Sequence, residues 1–436
     1  MNRTSAGASG GSDALGDAAR PVRPVRILFH INDFGRGGTE TALLAWINAL
    51  DRRCFVPAVS VAYPTDDLDF WRGHSLPPDV EVHVLARSRW SHVLHQAQRH
   101  RKLGKFEKLV HKLSTHAAIR PLVARRFLEL ASRHDIVCDF DLSLRRIAGR
   151  AGVPWIGVSH YSFAARLGNK SVGHRTRRIR QFERYAAVAV LTPDMLREAR
   201  GLFRGTEARA EELPNVIQID SIRRRAGEAV PKPDSPFIVS VARLDEGQKD
   251  HRTLLCAYAK ARERLPGIGQ LLLIGEGPDR ASLEALAKEL GIHDAVRFLG
   301  FCSNPFPYIR AAEMLVLSSR YEGFGMVLGE AMALGTPVIS ADCPTGPRDL
   351  LEGGEAGLLV KPGDAEGMCE AMIRLSVDGQ LRDTVRRRAQ DKVRTFSPSS
   401  ANARMLMLAQ RFCPGIFDAS GRSSAAVRPQ SPIEPA

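Results

Sequence analysis

A strand, a glycine-containing turn and a short helix follow one another over residues 314–334, and this order constrains the fold more than any other segment. The apolar run Met314–Leu317 predicts a buried parallel strand. The segment Met326–Leu334 predicts a helix that ends before Gly335. Residues 336–341 then predict a second strand, so the unit is β-turn-α-β and indicates a doubly wound parallel sheet.

Two carboxylates of this unit need a reason beyond folding. Glu322 lies in the turn at the carboxyl end of the strand, where open α/β sheets bind ligands. Glu330 lies inside an otherwise apolar helix, where a carboxylate is unfavourable unless it has a partner. The amino terminus of this helix lies near Gly325, Met326 and Val327. It offers free N–H groups and the positive end of the helix dipole, which suit a phosphate. This pattern favours a nucleotide-sugar site, with Glu322 on sugar hydroxyls, the amides on the diphosphate and Glu330 on the ribose.

The wording of this segment, E-G-F-G followed by G-E-A-M-A-L-G-T-P-V-I, resembles the signature of the retaining family 4 glycosyltransferases of the GT-B fold. The resemblance covers most of 237–396 and is looser in the first half of the chain. It implies transfer of a glycosyl group from a nucleotide-diphosphate sugar to a hydroxyl of a glycan or lipid-linked acceptor, with retention of configuration. It also implies a run of donor-binding residues: Glu322, Gly323, Phe324, Gly325, Met326, Val327 and Glu330.

Strand and helix patterns alternate along the rest of the chain, which predicts an α/β protein with two Rossmann-like, doubly wound parallel-sheet domains facing a cleft. The first set of strands is predicted at 25–31, 56–62, 80–85, 135–138, 154–159 and 186–191. The second set is predicted at 237–241, 270–274, 296–299, 314–317, 337–340 and 357–360. The charged stretch between Asn215 and Pro236 is the predicted linker.

These patterns predict four parts of the chain. Residues 1–22 and 414–436 are rich in small and polar residues and are predicted to be disordered tails. Residues 23–215 are predicted to form the acceptor domain, and 216–397 the nucleotide-sugar donor domain. If the resemblance holds, the last helix, 398–413, returns to the first domain.

Two features of the predicted acceptor domain point to the cleft. A loop with Gly37 and Gly38 follows the first strand and precedes a helix predicted from Thr41 to Leu50, so the backbone of the loop can approach an anion closely. It lacks the third spaced glycine of a dinucleotide fingerprint. The resemblance places this loop opposite the donor diphosphate and the acceptor. It also implies that His160, at the end of a strand, reaches the donor sugar.

Loops at the ends of the donor-domain strands supply the remaining candidates. Arg243 and Lys249 follow the first strand and can neutralise a diphosphate leaving group. Compared with the R-L-x-x-x-K segment of the family, one extra residue separates them. The turn with Gly275 and Gly277, together with Phe301, is expected near the nucleotide base by the same resemblance.

The catalytic candidates are therefore Glu322, His160, Arg243 and Lys249. No Asp or Glu stands out as a covalent nucleophile, so a front-face departure in which the leaving phosphate deprotonates the acceptor fits best. The 13 histidines lack metal-ligand spacing, and cations with helix dipoles can offset the diphosphate charge. We therefore expect no metal and no cofactor other than the nucleotide-diphosphate sugar, which is a substrate.

Composition bounds the setting of the protein. The seven cysteines are an odd number without C-x-x-C spacing, which favours reduced thiols and a cytoplasmic location. No apolar stretch approaches about 18 residues, so no spanning helix is expected. The N-terminal residues have no apolar core, so they do not resemble a secretory signal.

A net charge of +14 is concentrated in a densely basic stretch, 87–133, which also carries an apolar stripe. A basic amphipathic helix is typical of a membrane-surface element. The stripe is formed by Trp90, Val93, Leu103, Phe106, Leu109, Val110 and Leu113. We expect contact with an anionic membrane, at the inner face of the plasma membrane, while a solvated basic face remains the alternative.

Two other functions compete with glycosyl transfer. A sugar-nucleotide epimerase shares the two-lobed fold but converts the donor without an acceptor, and the E-G-F-G wording speaks against it. A non-catalytic nucleic-acid binder would explain the charge, but it would leave Glu330 and the phosphate-loop pattern without a purpose. Aromatic residues are also too sparse in the basic stretch for a base-stacking platform, so no nucleic-acid partner is expected.

Overall fold

The computed structural model describes residues 20–35, 37–87, 92, 93, 95, 97, 104–167 and 170–417. These residues form two parallel sheets, one of seven strands and one of six. The predicted architecture of two doubly wound lobes is therefore confirmed. The central strands of both sheets are mostly apolar and buried, as expected when helices cover both faces.

The first sheet has the strand order β3-β2-β1-β4-β5-β6-β7. Its strands are β1 (Val25–Ile31), β2 (Phe55–Val61), β3 (Glu81–Val84), β4 (Ile136–Asp139), β5 (Trp155–Ser159), β6 (Ala187–Val190) and β7 (Ala210–Glu212). The helices of this half are α1 (Gly38–Ala49), α2 (Asp66–His74), α3 (Lys105–Ser114), α4 (Arg120–Ala131), α5 (Phe163–Leu167), α6 (Val172–Phe182) and α7 (Pro193–Leu202), with a π-helical turn, Thr115–Ile119, between α3 and α4.

The second sheet has the order β10-β9-β8-β11-β12-β13. Its strands are β8 (Phe237–Val241), β9 (Gln270–Ile274), β10 (Val296–Gly300), β11 (Met314–Leu317), β12 (Val338–Ala341) and β13 (Leu358–Val360). The helices from here to the end are α8 (Ile219–Arg225), α9 (His251–Arg264), α10 (Arg280–Glu289), α11 (Phe306–Ala311), α12 (Met326–Leu334), α13 (Pro347–Leu350), α14 (Ala365–Val377), α15 (Gly379–Val393) and α16 (Pro398–Phe412).

Three elements differ from the sequence expectations. Helix α1 begins at Gly38 rather than Thr41, because Gly37 acts as its N-cap. The strand β7 has only three residues, all partly buried, so it leaves no apolar run to detect. The predicted linker contains helix α8, whose Ile219 and Ile222 are buried.

Helix α16 packs against the first lobe. The backbone amide of Asp51, just after α1, donates to Asn402 Oδ1 at 2.7 Å. Arg411 forms an ion pair with Glu211 of β7. Because α16 follows the second sheet in sequence, the chain crosses between the lobes twice.

The residues on either side of this crossing hold each other. The backbone amide of Ile217 donates to the carbonyl oxygen of Phe396 at 2.8 Å. The backbone amide of Val22 likewise donates to the carbonyl oxygen of Ile416 at 2.8 Å. Residues 1–19 and 418–436 of the predicted tails lie outside the described part of the chain. The domain limits named above therefore stay predictions.

The carboxyl ends of the two sheets face each other across a cleft. His160 follows β5 in the first lobe and Gly323 follows β11 in the second. A Cβ atom added to Gly323 would lie 1.7 Å from the carbonyl oxygen of His160. The two lobes thus meet at the sheet edges where α/β proteins bind ligands. Within the described residues, no helix is long and apolar enough to cross a membrane.

Candidate functional site

A buried ion pair lies at the carboxyl edge of the second sheet. The Glu322 side chain is 8 % exposed, and its Oε1 accepts hydrogen bonds from Lys249 Nζ and Ser319 Oγ, each at 2.6 Å. A carboxylate so far from water is stable only with such charge-assisted partners. Lys249 comes from the loop after β8, and β8 pairs with β11, so adjacent strands bring the two charges together.

The backbone around this ion pair is held from several sides. Ser318 Oγ donates to the carbonyl of Lys249 at 2.8 Å, and Thr345 Oγ1 donates to the carbonyl of Glu322 at 2.7 Å. Arg320 Nη2 donates to Asp250 Oδ1 at 2.8 Å. The extra residue between Arg243 and Lys249 is accommodated in this loop, and Lys249 still reaches Glu322.

Gly323 permits the closest approach between the lobes. The 1.7 Å gap between its virtual Cβ and the His160 carbonyl leaves no space for any side chain. His160 itself is buried, and its Nε2 lies 2.6 Å from the carbonyl oxygen of Phe140. The predicted sugar-binding histidine and the predicted carboxylate turn are therefore in direct backbone contact.

The loop that carries His160 is fixed by a carboxylate from α7. Glu198 accepts hydrogen bonds from Ser162 Oγ at 2.9 Å and from the Phe163 amide at 3.0 Å, and also from the amide of Ala164. Such bonds satisfy the free amides at the beginning of helix α5. They hold residues 160–162 against the edge of the sheet.

Helix α12 begins at the cleft. Gly325 precedes it with φ 84°, a left-handed conformation that favours glycine, and Met326 and Val327 form its first turn. Phe324 is 3 % exposed and packs edge-on against Phe396 at 5.2 Å. Of the predicted E-G-F-G group, Phe324 therefore contributes its backbone to the cleft, while its ring lies in the core beside the interlobe crossing.

Glu330 is partly buried one turn further along α12. Burial raises the pKa of its carboxyl to about 7, and the nearby Arg225 guanidinium opposes that rise. No hydrogen bond to this carboxylate is found within the described residues. The group is therefore desolvated and still able to accept hydrogen bonds from a ligand.

The loop after β8 meets the turn after β9 through backbone contacts. A Cβ on Gly275, which has φ 146°, would lie 1.9 Å from the Ala242 carbonyl, and a Cβ on Gly277 would lie 2.1 Å from that of Leu244. These glycines pack the two loops together and, in doing so, position Arg243. The guanidinium of Arg243 is 61 % exposed and bonds Asp245 at 2.6 Å. Phe301, after β10, is 51 % exposed at the same edge.

The glycine-rich loop of the first lobe already holds a carboxylate. The amides of Gly35 and Gly37 both donate to Glu40, at 3.1 Å each. Gly38 has open space around its virtual Cβ. Two amides of the loop are thus engaged by Glu40, and the expected contact of Gly37 and Gly38 with the donor diphosphate stays a prediction.

The structure brings together Glu322, Lys249, Gly323 and His160 and places α12 beside them. Arg243 lies on the same loop as Lys249, and the Gly37–Gly38 loop lies at the facing sheet edge. Sequence reasoning missed four supporting residues: Ser319, Thr345, Glu40 and Glu198. Thr345 stands out in the structure by its left-handed backbone, with φ 62°. No sequence pattern predicts this conformation. No group of three metal-ligating side chains occurs within the described ranges.

Comparison with known proteins identifies the second lobe. Residues 223–392 match the family described as Glycosyl transferases group 1. The second lobe is a glycosyl transferases group 1 domain. The matched region contains Arg243, Lys249, Glu322 and Glu330, so the residues expected from the resemblance lie inside the domain.

Two curated relatives with glycosyltransferase names match part of this chain. One is the N-acetylgalactosamine-N,N'-diacetylbacillosaminyl-diphospho-undecaprenol 4-alpha-N-acetylgalactosaminyltransferase of Campylobacter jejuni, 35 % identical over 188 residues, 43 % of this chain and 50 % of that protein. Another is the lipopolysaccharide core biosynthesis glycosyltransferase LpsE of Rhizobium meliloti, 38 % identical over 158 residues, 36 % of this chain and 44 % of that protein. The chain thus spans about half the length of the curated relatives that it matches.

Solved structures resemble nearly the whole chain. HepE of Anabaena, in complex with UDP and glucose, aligns with a TM-score of 0.67 at 19 % identity, covering 89 % of this chain and 100 % of HepE. The lipopolysaccharide outer core galactosyltransferase WaaB aligns with a TM-score of 0.60 at 20 % identity, covering 89 % of this chain and 99 % of that chain. At these identities the likeness shows the fold, and the fold is GT-B.

Proposed function

We propose that this protein transfers a glycosyl group from a nucleotide-diphosphate sugar to a hydroxyl of a glycan or lipid-linked acceptor, with retention of configuration. The observation that carries the proposal is the contact across the cleft between Gly323 and His160, next to the buried Lys249–Glu322 pair. A sugar held beside this contact would lie between both lobes. The group 1 domain and its relatives' names support the same reaction.

The donor's phosphates would lie at the start of α12. A helix N-terminus presents free amides and a positive dipole end, and Arg243 and Lys249 are on the adjacent loop. The Lys249 ammonium has three N–H groups, so it can keep its bond to Glu322 and also reach a phosphate oxygen. Both cations would then stabilise the charge that builds up on the leaving diphosphate.

The rest of the donor would follow the edge of the second sheet. Glu330 would accept hydrogen bonds from the ribose hydroxyls, because it is desolvated and no described residue donates a hydrogen bond to its carboxylate. The base would lie near the Gly275–Gly277 turn and Phe301, whose ring is half exposed. Glu322 and His160 would orient the sugar itself.

The reaction step follows from these positions. The bond between the acceptor oxygen and the sugar's anomeric carbon forms on the face from which the diphosphate departs. The bond from that carbon to the phosphate oxygen breaks, and the acceptor's proton passes to the departing phosphate. This route requires no protein nucleophile and no metal ion, because the two cations and the helix amides offset the phosphate charge.

Donor screening tests the proposed function. We expect UDP-, GDP-, ADP- or dTDP-linked sugars to raise the melting temperature of the full chain, because a ligand that binds only the folded state stabilises it. The NMR spectrum of the product with a matching acceptor should show the same anomeric configuration as the donor. An inverted product would contradict retention. Conversion of the donor sugar to its epimer without any acceptor would favour the epimerase instead.

We also propose that helix α3 binds an anionic membrane surface. It has no buried residue, and Phe106, Leu109, Val110 and Leu113 are 76, 53, 37 and 60 % exposed. These positions are three or four residues apart and therefore share one face of the helix. Val93, at 49 % exposure, adds to the apolar surface, whereas Trp90 and Leu103 lie outside the described residues.

The positive charges beside this apolar face favour an anionic membrane as its partner. Lys105, Lys108 and Lys112 of the same helix are exposed to solvent. An apolar stripe flanked by lysines matches the boundary between acyl chains and anionic headgroups. Each cation near such a leaflet contributes about 1 kcal/mol, so binding should be reversible and sensitive to salt.

Flotation with liposomes tests this surface. The full chain should float with phosphatidylglycerol vesicles at low salt and less at high salt, and weakly with phosphatidylcholine vesicles. Phe106→Asp should abolish flotation, because it places a charge in the apolar stripe. Val377→Asp is the matched control, since Val377 is 65 % exposed on the second lobe. Equal recovery with both lipids, or recovery with neither, would contradict the proposal and leave α3 as a solvated basic helix.

A further inference from the structure

A pair of ionisable side chains lies at the cleft edge of the first lobe, apart from the residues proposed to hold the donor sugar. Asp33 Oδ1 is 2.7 Å from His95 Nε2, and the two side chains are 33 % and 19 % exposed. The other carboxylate oxygen of Asp33 accepts a hydrogen bond from Asn32 Nδ2 at 2.8 Å. The pair is thus formed and oriented while remaining accessible to a ligand.

Further contacts surround this pair. The ring of Tyr63 stacks on the His95 ring, with centroids 4.0 Å apart. The amide of Asn32 donates to Asp141 Oδ2 at 2.9 Å, which ties the loop after β1 to the loop after β4. On the other side of Asp33, Thr65 Oγ1 donates to the Phe34 carbonyl at 2.5 Å. Such supports are typical of side chains that must keep a fixed direction.

The position of the pair separates it from the donor. Asp33 follows β1 and His160 follows β5, with only β4 between these two strands. Two strand spacings amount to about 10 Å. Both residues lie at the same edge of the sheet, so a molecule that reaches Asp33 lies beside a sugar held at His160 rather than on top of it.

The pair also borders the proposed membrane helix. The rings of His95 and His111 are 6.1 Å apart, and His111 belongs to α3. The apolar stripe of α3 faces solvent, whereas His111 is only partly exposed. A sugar attached to a lipid anchored at α3 would therefore approach the cleft past His95.

We propose that Asp33 binds a hydroxyl of the acceptor sugar and that His95 positions Asp33 for this contact. The proposal rests on the proposed function and adds an acceptor subsite to it. A carboxylate that retains free lone pairs accepts a sugar hydroxyl strongly. Asp33 does not take the transferred proton, which leaves with the diphosphate. The acceptor class is a sugar carried on a lipid tail.

The test compares the two substrates separately, with the nucleotide sugar found by the donor screen. Octyl β-glucoside and octyl N-acetyl-β-glucosaminide serve as lipid-tailed acceptors. Asp33→Asn and His95→Ala should each raise KM for the octyl glycoside about tenfold, as expected for weakening a hydrogen bond to a charged group. Donor affinity and donor hydrolysis without acceptor should stay unchanged. His95→Gln keeps an N–H donor and should recover part of the loss.

The matched control is the second His–carboxylate pair of this lobe. Glu81 and His83 lie on β3, with Oε2 and Nε2 3.3 Å apart, and Glu81→Gln and His83→Ala should leave both KM values unchanged. An unchanged acceptor KM in the Asp33 and His95 variants would overturn the subsite alone. So would an equal loss of donor affinity, or failure of the wild type to glycosylate either octyl glycoside while hydrolysing the donor. If no nucleotide sugar binds, the proposed function fails and the subsite with it.

Discussion

The two lobes build their cleft edges in different ways. In the second lobe, backbone packs against backbone at Gly275, Gly277 and Gly323, where any side chain would collide with a carbonyl. In the first lobe, side chains from separate segments make the contacts. Examples are the Asp33–His95 pair and the hydrogen bond from Tyr185 to the buried Asp139. The cleft edge of the second lobe is therefore held largely by glycines at close backbone contacts, together with the Lys249–Glu322 pair. The cleft edge of the first lobe depends more on side-chain contacts between loops.

This difference has a functional consequence. A nucleotide diphosphate presents the same phosphates and ribose whatever sugar it carries, so a rigid edge built from glycines and helix amides suits it. An acceptor varies in its hydroxyls, and side chains on loops can change to fit it. The four predictions below alter one edge or the other and are arranged by expected effect.

The largest effect is expected from Gly323→Ala. A methyl group 1.7 Å from the His160 carbonyl must push the lobes apart by more than 1 Å, since real contacts are at least about 3 Å. A displacement of about 1 Å at reacting groups reduces rates about 100-fold, and here both Glu322 and His160 would move. Turnover should therefore fall more than 100-fold. Gly73→Ala is the control, because its virtual Cβ, on α2, meets no atom within 4 Å, and near-equal turnover of both variants would contradict the contact.

The second-largest effect is expected from removing either cation of the loop after β8. Arg243→Ala and Lys249→Ala should each lower turnover about 100-fold, or about 3 kcal/mol, because each stabilises charge that grows on the leaving diphosphate. Donor affinity should change less than turnover. Arg264→Ala is the matched control, since Arg264 pairs with Glu366 on an exposed helix surface. Near wild-type turnover in both cleft variants would contradict the diphosphate role.

A buried carboxyl of the first lobe should make stability depend on pH. Asp139 is fully buried. Its burial and the nearby Asp141 carboxylate raise its pKa to about 8. The hydrogen bond that Tyr185 donates to it at 2.6 Å opposes this rise. Between about pH 4 and 8 the folded protein keeps this proton and the unfolded chain loses it, so stability falls as pH rises. Two further titratable groups interact with it: Arg145, whose pKa is lowered by burial, and the neutral thiol of Cys138, whose pKa is raised by burial.

Asp139→Asn tests this linkage. The amide cannot ionise. The difference in free energy of unfolding, variant minus wild type, should therefore increase by about 2 kcal/mol between pH 6 and 8. Urea unfolding at a series of pH values measures the difference. Asp79→Asn, at an exposed pair with Arg52, should show no such trend. Parallel pH curves for wild type and Asp139→Asn would mean that Asp139 is already ionised in the fold.

The smallest effect is expected from Glu330→Gln. The carboxyl has a pKa of about 7 in the unliganded protein, and a ribose hydroxyl bonds the ionised form more strongly. Nucleotide affinity of the wild type should therefore rise from pH 6 to 8, and Glu330→Gln should bind about tenfold more weakly at pH 8 without that rise. Calorimetry with UDP or another screened nucleotide measures both. Equal affinity at all pH values would remove Glu330 from the ribose site.

Much of the second lobe could be predicted from its sequence. The strands of this lobe, the helix Met326–Leu334 and its stop at Gly335 agree with the sequence patterns, because a buried parallel strand leaves an apolar run and a glycine ends a helix locally. The resemblance predicts Glu322, Lys249 and Glu330 as neighbours of one ligand, and this stays a prediction. The structure adds that Lys249 and Glu322 are paired with each other, and that the ring of Phe324 belongs to the core.

The first lobe was less predictable for a physical reason. The Asp33–His95 contact joins residues 62 apart in the chain, and Glu198 caps a helix that begins 35 residues earlier. No local pattern reports such pairings, because they depend on which strand ends lie side by side. Helix α8 was likewise overlooked, since only Ile219 and Ile222 of its seven residues are buried.

The sequence by itself determined two alternating α/β lobes, the carboxylate turn with its helix, and the basic amphipathic character of α3, because each depends on residues close together in the chain. Tertiary structure decided which groups meet across the cleft: the His160 carbonyl against Gly323, Lys249 on Glu322, and His95 on Asp33. These contacts arise where loops from different strands converge at one sheet edge. Their geometry is set by the packing of the whole fold.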